Sequence, residues 1–150
     1  MNRHSLKHSL IVLSIGTLMT GSAFAADQVK VGLLSTLSGP GAGLGVDIRD
    51  GFNLAVKHMN GKIGNLPAEV VVVDDQQNPE VAKQTAERLL KRDKVDFMTG
   101  TVFSNVMLAV GQPAFQNKTF FISPNAGPSQ YAGAQCNPYF FNVSQQNDAL

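Results

Sequence analysis

An α/β fold, a parallel sheet with helices on both faces, is what this sequence predicts, and three observations predict it. Short β-branched runs alternate with amphipathic stretches, each run gives way to a loop rich in Gly, Pro, Ser or Asp, and the order strand–loop–helix repeats to the end. Val29 to Leu34 is the first such run, a short buried strand. From Gly45 to Asn60 the apolar residues Ile48, Phe52, Ala55, Val56 and Met59 recur with helical spacing. Asp47 and Asp50 near its start and Lys57 near its end suit the helix dipole, and Asn60-Gly61 stops it. Ala68 to Val73 holds a run of valines, the composition of a strand covered on both faces. Pro79 and Glu80 open a second helix whose buried stripe is Ala82, Ala86, Leu89 and Leu90. Its basic end, Lys91, Arg92 and Lys94, reads as a solvated terminus rather than a binding patch. Val95 to Thr99 is a third strand, Ser104 to about Gln116 a third helix disturbed by Pro113, and Thr119 to Ser123 a fourth strand. A loop from Pro124 to Pro138 leads to a fifth strand, Tyr139 to Ser144, and a further helix is expected to begin near Asp148. Right-handed crossovers between such elements give a Rossmann-like sheet.

Met1 to Ala25 stands apart from this pattern. Arg3 and Lys7 precede the apolar stretch Leu10 to Met19, and Ala23-Phe24-Ala25 has the small residues of a cleavage site, the plan of a secretory signal peptide. The apolar stretch is too short for the roughly 20 residues that cross a bilayer, and no cysteine follows the cleavage site to carry a lipid anchor. The mature chain is therefore expected to be exported and not embedded in a membrane. Of 150 residues, removing the first 25 leaves 125 (26–150), enough for one domain with a core. Removing Arg3 and Lys7 takes the net charge from +1 to −1, which offers no footprint for nucleic acid or an anionic membrane. His58 becomes the only histidine and Cys136 the only cysteine, so neither a His/Cys zinc site nor a histidine-based triad can be assembled. No metal or cofactor is expected. Cys136 is either a buried thiol or one whose partner lies outside this sequence.

In a sheet of this type ligands collect at the carboxyl ends of the strands. Three loops meet that description: Ser35 to Gly45, Thr101 to Asn105 and Pro124 to Ser129. The first is glycine-rich, but its spacing fits neither G-x-G-x-x-G nor the Gly-Lys-Ser/Thr of a phosphate loop. Its glycines instead let the backbone turn sharply and approach another group closely. In the second, Ser104 and Asn105 stand where a helix begins, either capping free backbone N–H groups or, with the same geometry, receiving a carboxylate. The third offers the backbone N–H groups of Ala126 and Gly127.

The segments SGPGAGLGVDIRDGFNLAVKHMN, VVVDDQQNPEVAKQTAERLL, TGTVFSNV and FFISPNAGPS resemble the amino-terminal lobe of the leucine/isoleucine/valine-binding family, type I periplasmic substrate-binding proteins that serve ABC importers. The resemblance runs in unbroken order over nearly all of Val29 to Leu150. It implies the first lobe of a two-lobed protein whose cleft closes on a small molecule, a full chain more than twice this length, a periplasmic location and delivery of the solute to a membrane permease. It also implies a monomer without a cofactor. By position, the family's carboxylate-binding serine falls on Ser104, the loop gripping the ligand's carboxylate and ammonium on Asn125, Ala126 and Gly127, and the aromatic residue lining the first loop on Leu44. Gly127 replaces a threonine of the branched-chain amino acid binders, and Gln77 and Phe103 stand at the positions of a disulfide found in some members. The phrase NAGPSQYAGAQCNPYFF resembles a branch associated with aromatic and other organic acids.

The residues themselves agree. No carboxylate near Ser104 in the three loops is available for an ammonium, which leaves only the expected second lobe to supply one, while Phe103 and Leu44 supply apolar walls; together these favour a ligand with a carboxylate head and an apolar or aromatic body. An exported hydrolase using Ser104 is disfavoured, because G-x-S-x-G and a nearby histidine are both missing. A receptor ectodomain of the same fold is the remaining rival.

Overall fold

The structure, a computed structural model, describes residues 27–147; the expected signal peptide and the start of a further helix at Asp148 lie outside the described residues. The elements in order are β1 (Val29–Ser35), α1 (Ala42–His58), β2 (Lys62–Ile63), β3 (Leu66–Asp74), α2 (Pro79–Arg88), β4 (Phe97–Thr99), α3 (Ser104–Gln116), β5 (Phe120–Ser123), α4 (Ser129–Ala132) and β6 (Phe140–Asn142). They form one six-stranded sheet in the order β2-β3-β1-β4-β5-β6. Five strands run parallel, with Val29 opposite Ala68, Val31 opposite Phe97, Phe97 opposite Phe120, and Phe121 opposite Phe140.

β2 is the exception, and no element expected from the sequence corresponds to it. It pairs antiparallel with β3 through Lys62–Pro67 and Ile63–Leu66, joined by Gly64 and Asn65 at φ 56° and 70°. Two adjacent residues with positive φ are what a two-residue hairpin turn requires. β3 thus begins at Leu66, before the expected Ala68.

The chain leaves β1 toward β3 on one side and returns to β4 on the other, so right-handed crossovers put α1 on one face and α2 and α3 on the opposite face. Under α2 and α3 lies the main core: Leu34, Ala82, Ala86, Leu89, Met98, Val106, Met107, Val110 and Phe121 are all buried. Side chains alternate along a strand, so Val31 and Leu33, also fully buried, belong to the α1 face. That face is thinly covered. The expected stripe of α1 is at best half-buried at Ile48, Phe52 and Val56 and exposed at Met59, and Val72 is exposed, which corrects the reading of the valine run as covered on both faces. Phe97, Phe120, Ile122 and Phe141 line an apolar groove on the same side.

Four local features differ from expectation. α1 starts at Ala42, so part of the first loop is helix. α3 continues through Pro113 to Gln116, because a missing N–H this near the end forfeits a single helical bond. α2 passes into a π-helical turn, Leu89–Asp93, closed by Lys94 at φ 52°. The loop after β5 contains α4, anchored by buried Tyr131 against Phe115 and Phe140; burial pushes the Tyr131 phenol up to about 12. The basic end of α2 is exposed and partly paired, Lys91 with Glu87 at 3.0 Å and Arg92 with Asp93 at 3.0 Å.

Candidate functional site

The order of the sheet reverses at β1, between β3 and β4, and a doubly wound sheet opens a crevice at such a reversal. The loops after β1 and β4 border it. Their contact is tight: a Cβ on Gly41 would stand 2.7 Å from the Phe103 ring and 3.0 Å from Gln77 Oε1, so only glycine fits there without moving the ring. The glycine-rich turn therefore forms a wall against Phe103. Gln77 and Phe103, at the positions where the resemblance implies a disulfide in other members, flank this same glycine.

Two aspartates at the end of β3 lock the first loop. Asp74 Oδ1 accepts from the Leu37 and Gln76 N–H groups at 2.8 and 2.9 Å. Asp75 Oδ1 accepts from Thr36 Oγ1 at 2.7 Å and from the Gln77 N–H at 2.8 Å. Desolvation alone would raise the Asp74 carboxyl, but hydrogen bonds from Ser38, Leu37 and Gln76 outweigh it and hold it below its usual range. Asp75 is fully buried, and that burial pushes its carboxyl up against the opposing bonds from Thr36 and Gln77, with the Asp74 charge adding to the rise. Its Oδ2 has no hydrogen-bond partner among the described residues. Gln76 and Gln77 both sit at φ 55°, a conformation costly for non-glycine residues that the two carboxylates hold in place.

The second and third loops are joined directly. Asn125 Nδ2 donates to Val102 O at 2.7 Å and the Ala126 N–H donates to Thr101 O at 3.3 Å. Between them opens a cavity of about 520 Å³, lined by Val102, Phe103, Ser104, Asn105, Asn125, Ala126, Ser144, Gln145 and Asn147. α3 points its N-terminus into this space. Its N-cap position is Phe103, and no side chain caps it, in contrast to α2, where Asn78 accepts from the Glu80 and Val81 N–H groups at 2.9 and 3.3 Å. An uncapped helix start leaves N–H groups and partial positive charge facing the cavity.

Of the residues singled out from sequence, Phe103, Ser104, Asn105, Asn125 and Ala126 line this one cavity. Leu44 does not: it lies in the first turn of α1, 56% exposed. Gly127 is buried outside the lining set, where a Cβ would meet Gln145 O at 2.3 Å. Two expectations need correction. Ser104 does not cap α3; its hydroxyl donates to Asn147 Oδ1 at 3.1 Å. The Ala126 N–H is engaged by Thr101 and is not free for a ligand. Ser144, Gln145 and Asn147 went unforeseen, although the polar run SQQN follows a strand end as the other loops do. Cys136 is exposed, so it is not a buried thiol. Among the described residues no group of His, Cys, Asp or Glu is arranged to hold a metal ion, and no helix is long and apolar enough to cross a membrane.

Comparison with known proteins agrees with this architecture. Residues 28–150 match the periplasmic binding protein family. A Leu/Ile/Val-binding protein homolog of Brucella abortus is 30% identical over 139 residues, covering 92% of this chain and 35% of the relative; the chain thus spans about a third of the length of the curated relatives it matches. The solute-binding protein of an ABC transporter from R. palustris, solved in complex with benzoate, superposes with a TM-score of 0.78 at 36% identity, covering 81% of this chain and 34% of that one. A branched-chain amino acid transporter substrate-binding protein from Streptococcus pneumoniae, solved with isoleucine, gives a TM-score of 0.72 at 27% identity, covering 79% and 34%. With its family match spanning nearly every described residue, the chain belongs to the periplasmic binding protein family, whose members bind solutes and are not enzymes.

Proposed function

We propose that this chain is the amino-terminal lobe of an exported, monomeric solute-binding protein of an ABC importer, which holds a small carboxylate in a cleft between two lobes and delivers it to a membrane permease. The observation that carries this reading is the uncapped N-terminus of α3, with Ser104, opening on a polar-walled cavity. A carboxylate placed there is stabilised by the helix dipole, by free backbone N–H groups and by one hydroxyl. Phe103 provides an apolar side for the body of the solute, Asn105 and Asn125 provide amides, and Ala126 adds to the lining, of which Leu44 and Gly127 are not part.

Among carboxylates, an aromatic acid fits better than a branched-chain amino acid. Gly127 brings no hydroxyl, no acidic side chain among the described residues lines the cavity to meet an ammonium, and the benzoate-bound relative shares more identity with this chain than the isoleucine-bound one. A ligand that binds only the folded state raises its melting temperature with affinity. Thermal-shift measurements on the full-length mature protein with benzoate, hydroxybenzoates, leucine and isoleucine are expected to show the larger rise with the benzoates. A larger rise with leucine would return the protein to the amino acid binders, and no response to any of these acids would count against the carboxylate reading.

A further inference from the structure

We infer that Asn147 sets the affinity of the carboxylate seat by occupying it when no solute is bound; this rests on the proposed role of Ser104. After β6 the chain is steered back over the third loop by a series of bonds. Val143 N–H donates to Ser123 O at 3.0 Å, Ser144 N–H to Asn142 Oδ1 at 3.1 Å, and Asn142 Nδ2 to Gln145 O at 3.4 Å. The close approach of Gln145 O to Gly127, possible only because residue 127 has no side chain, lets the segment lie flat on that loop. Asn147 N–H then donates to Gly127 O at 2.8 Å, which aims its side chain across the cavity at α3. There Oδ1 accepts the Ser104 hydroxyl at 3.1 Å.

A serine hydroxyl has a single proton to donate. Given to Asn147, it is not available to a solute, so the intramolecular bond and the bond to a carboxylate exclude each other. The side-chain carbonyl is a neutral sp² oxygen standing where the charged oxygen of an acid would stand. An acid displaces it because a charge-assisted bond at a helix N-terminus is about twice as strong as a neutral one. Each binding event therefore carries the cost of breaking the Ser104–Asn147 bond.

Two measurements on the full-length protein test this, with benzoate as the probe. In calorimetry Asn147→Ala is expected to tighten benzoate about threefold to tenfold, the factor that corresponds to one net hydrogen bond. Asn147→Asp, which places a fixed carboxylate on the seat, is expected to weaken it at least about tenfold through like-charge exclusion. In the absence of benzoate, melting temperatures of Ser104→Ala, Asn147→Ala and the double variant are expected to be non-additive, since either change alone removes the same bond. Asn147→Ala binding that is unchanged or weaker overturns the inference, as do additive melting temperatures. Non-additive melting with no benzoate response in any variant would keep the Ser104–Asn147 contact and overturn both its role as a competitor and the carboxylate reading; additive melting with tight benzoate binding would leave that reading standing and remove Asn147 from it.

Discussion

At Gly41 a missing side chain decides the shape of the site. The Phe103 ring fills the space where a Cβ would be, and the ring tip is the part that can yield. Gly41→Ala is therefore expected to leave the melting temperature close to the parent's while displacing Phe103 from the cavity wall and weakening benzoate by roughly 1 kcal/mol, the scale of a lost or strained apolar contact; parallel melting and calorimetric measurements check both. Asp75 makes a different kind of prediction. Its carboxyl is raised in the folded protein, so the native state takes up a proton more readily than the unfolded chain. Its contribution to stability is fully present below the ordinary aspartate range and is lost as pH rises through the raised value. Asp74, held low, contributes in the opposite sense: its share is present above that range and lost as pH falls. Asp75→Asn is thus expected to remove the first slope, so that the parent gains stability on the variant as pH is lowered from neutral toward the ordinary carboxylate range. Urea melts at several pH values measure this, and parallel profiles for the two proteins would contradict it.

Element by element, the contrast between α2 and α3 is the informative one. α2 has a side-chain N-cap, Asn78 before Pro79, and Asn78→Ala is expected to cost about 1 kcal/mol in chemical denaturation without changing benzoate affinity. α3 has no cap, and Phe103 at its N-cap position is a poor choice for stability. Such a departure from local optimum is expected at a functional site. The strands and helices were legible in the sequence because their signals are local: the spacing of Ile48, Phe52 and Val56, the valine run, the Pro79-Glu80 start. The β2–β3 hairpin escaped because its turn is Gly64-Asn65 rather than the commoner Asn-Gly, and a two-residue strand has too few side chains to alternate. The valine run misled for another reason. Composition reports what a strand can bury, not whether an element covers it, and Val72 meets no such cover here.

Across the whole molecule, topology gathers what the sequence scatters. Ser104 and Asn125 lie on one cavity because parallel strands end at the same edge, and sequence order alone was enough to expect that. The return of Asn147 to Ser104, 43 positions apart in sequence, was not readable, since it depends on a path set by Gly127 and Asn142 after the last strand. In the two-lobed protein proposed above, this chain supplies one wall of the cleft. Residues 26–150 alone are expected to bind benzoate no better than roughly millimolar, because three or four charge-assisted bonds barely exceed the cost of immobilising the solute; a micromolar titration would show that the second wall is dispensable.

The seat itself is tested most directly by calorimetric titration of benzoate into the full-length protein and its Ser104→Ala variant. A hydroxyl that donates to a charged carboxylate is worth about 1.5–3 kcal/mol, and the variant is expected to lose that much binding free energy. Equal affinity in the two proteins would mean that the acid does not sit at the start of α3.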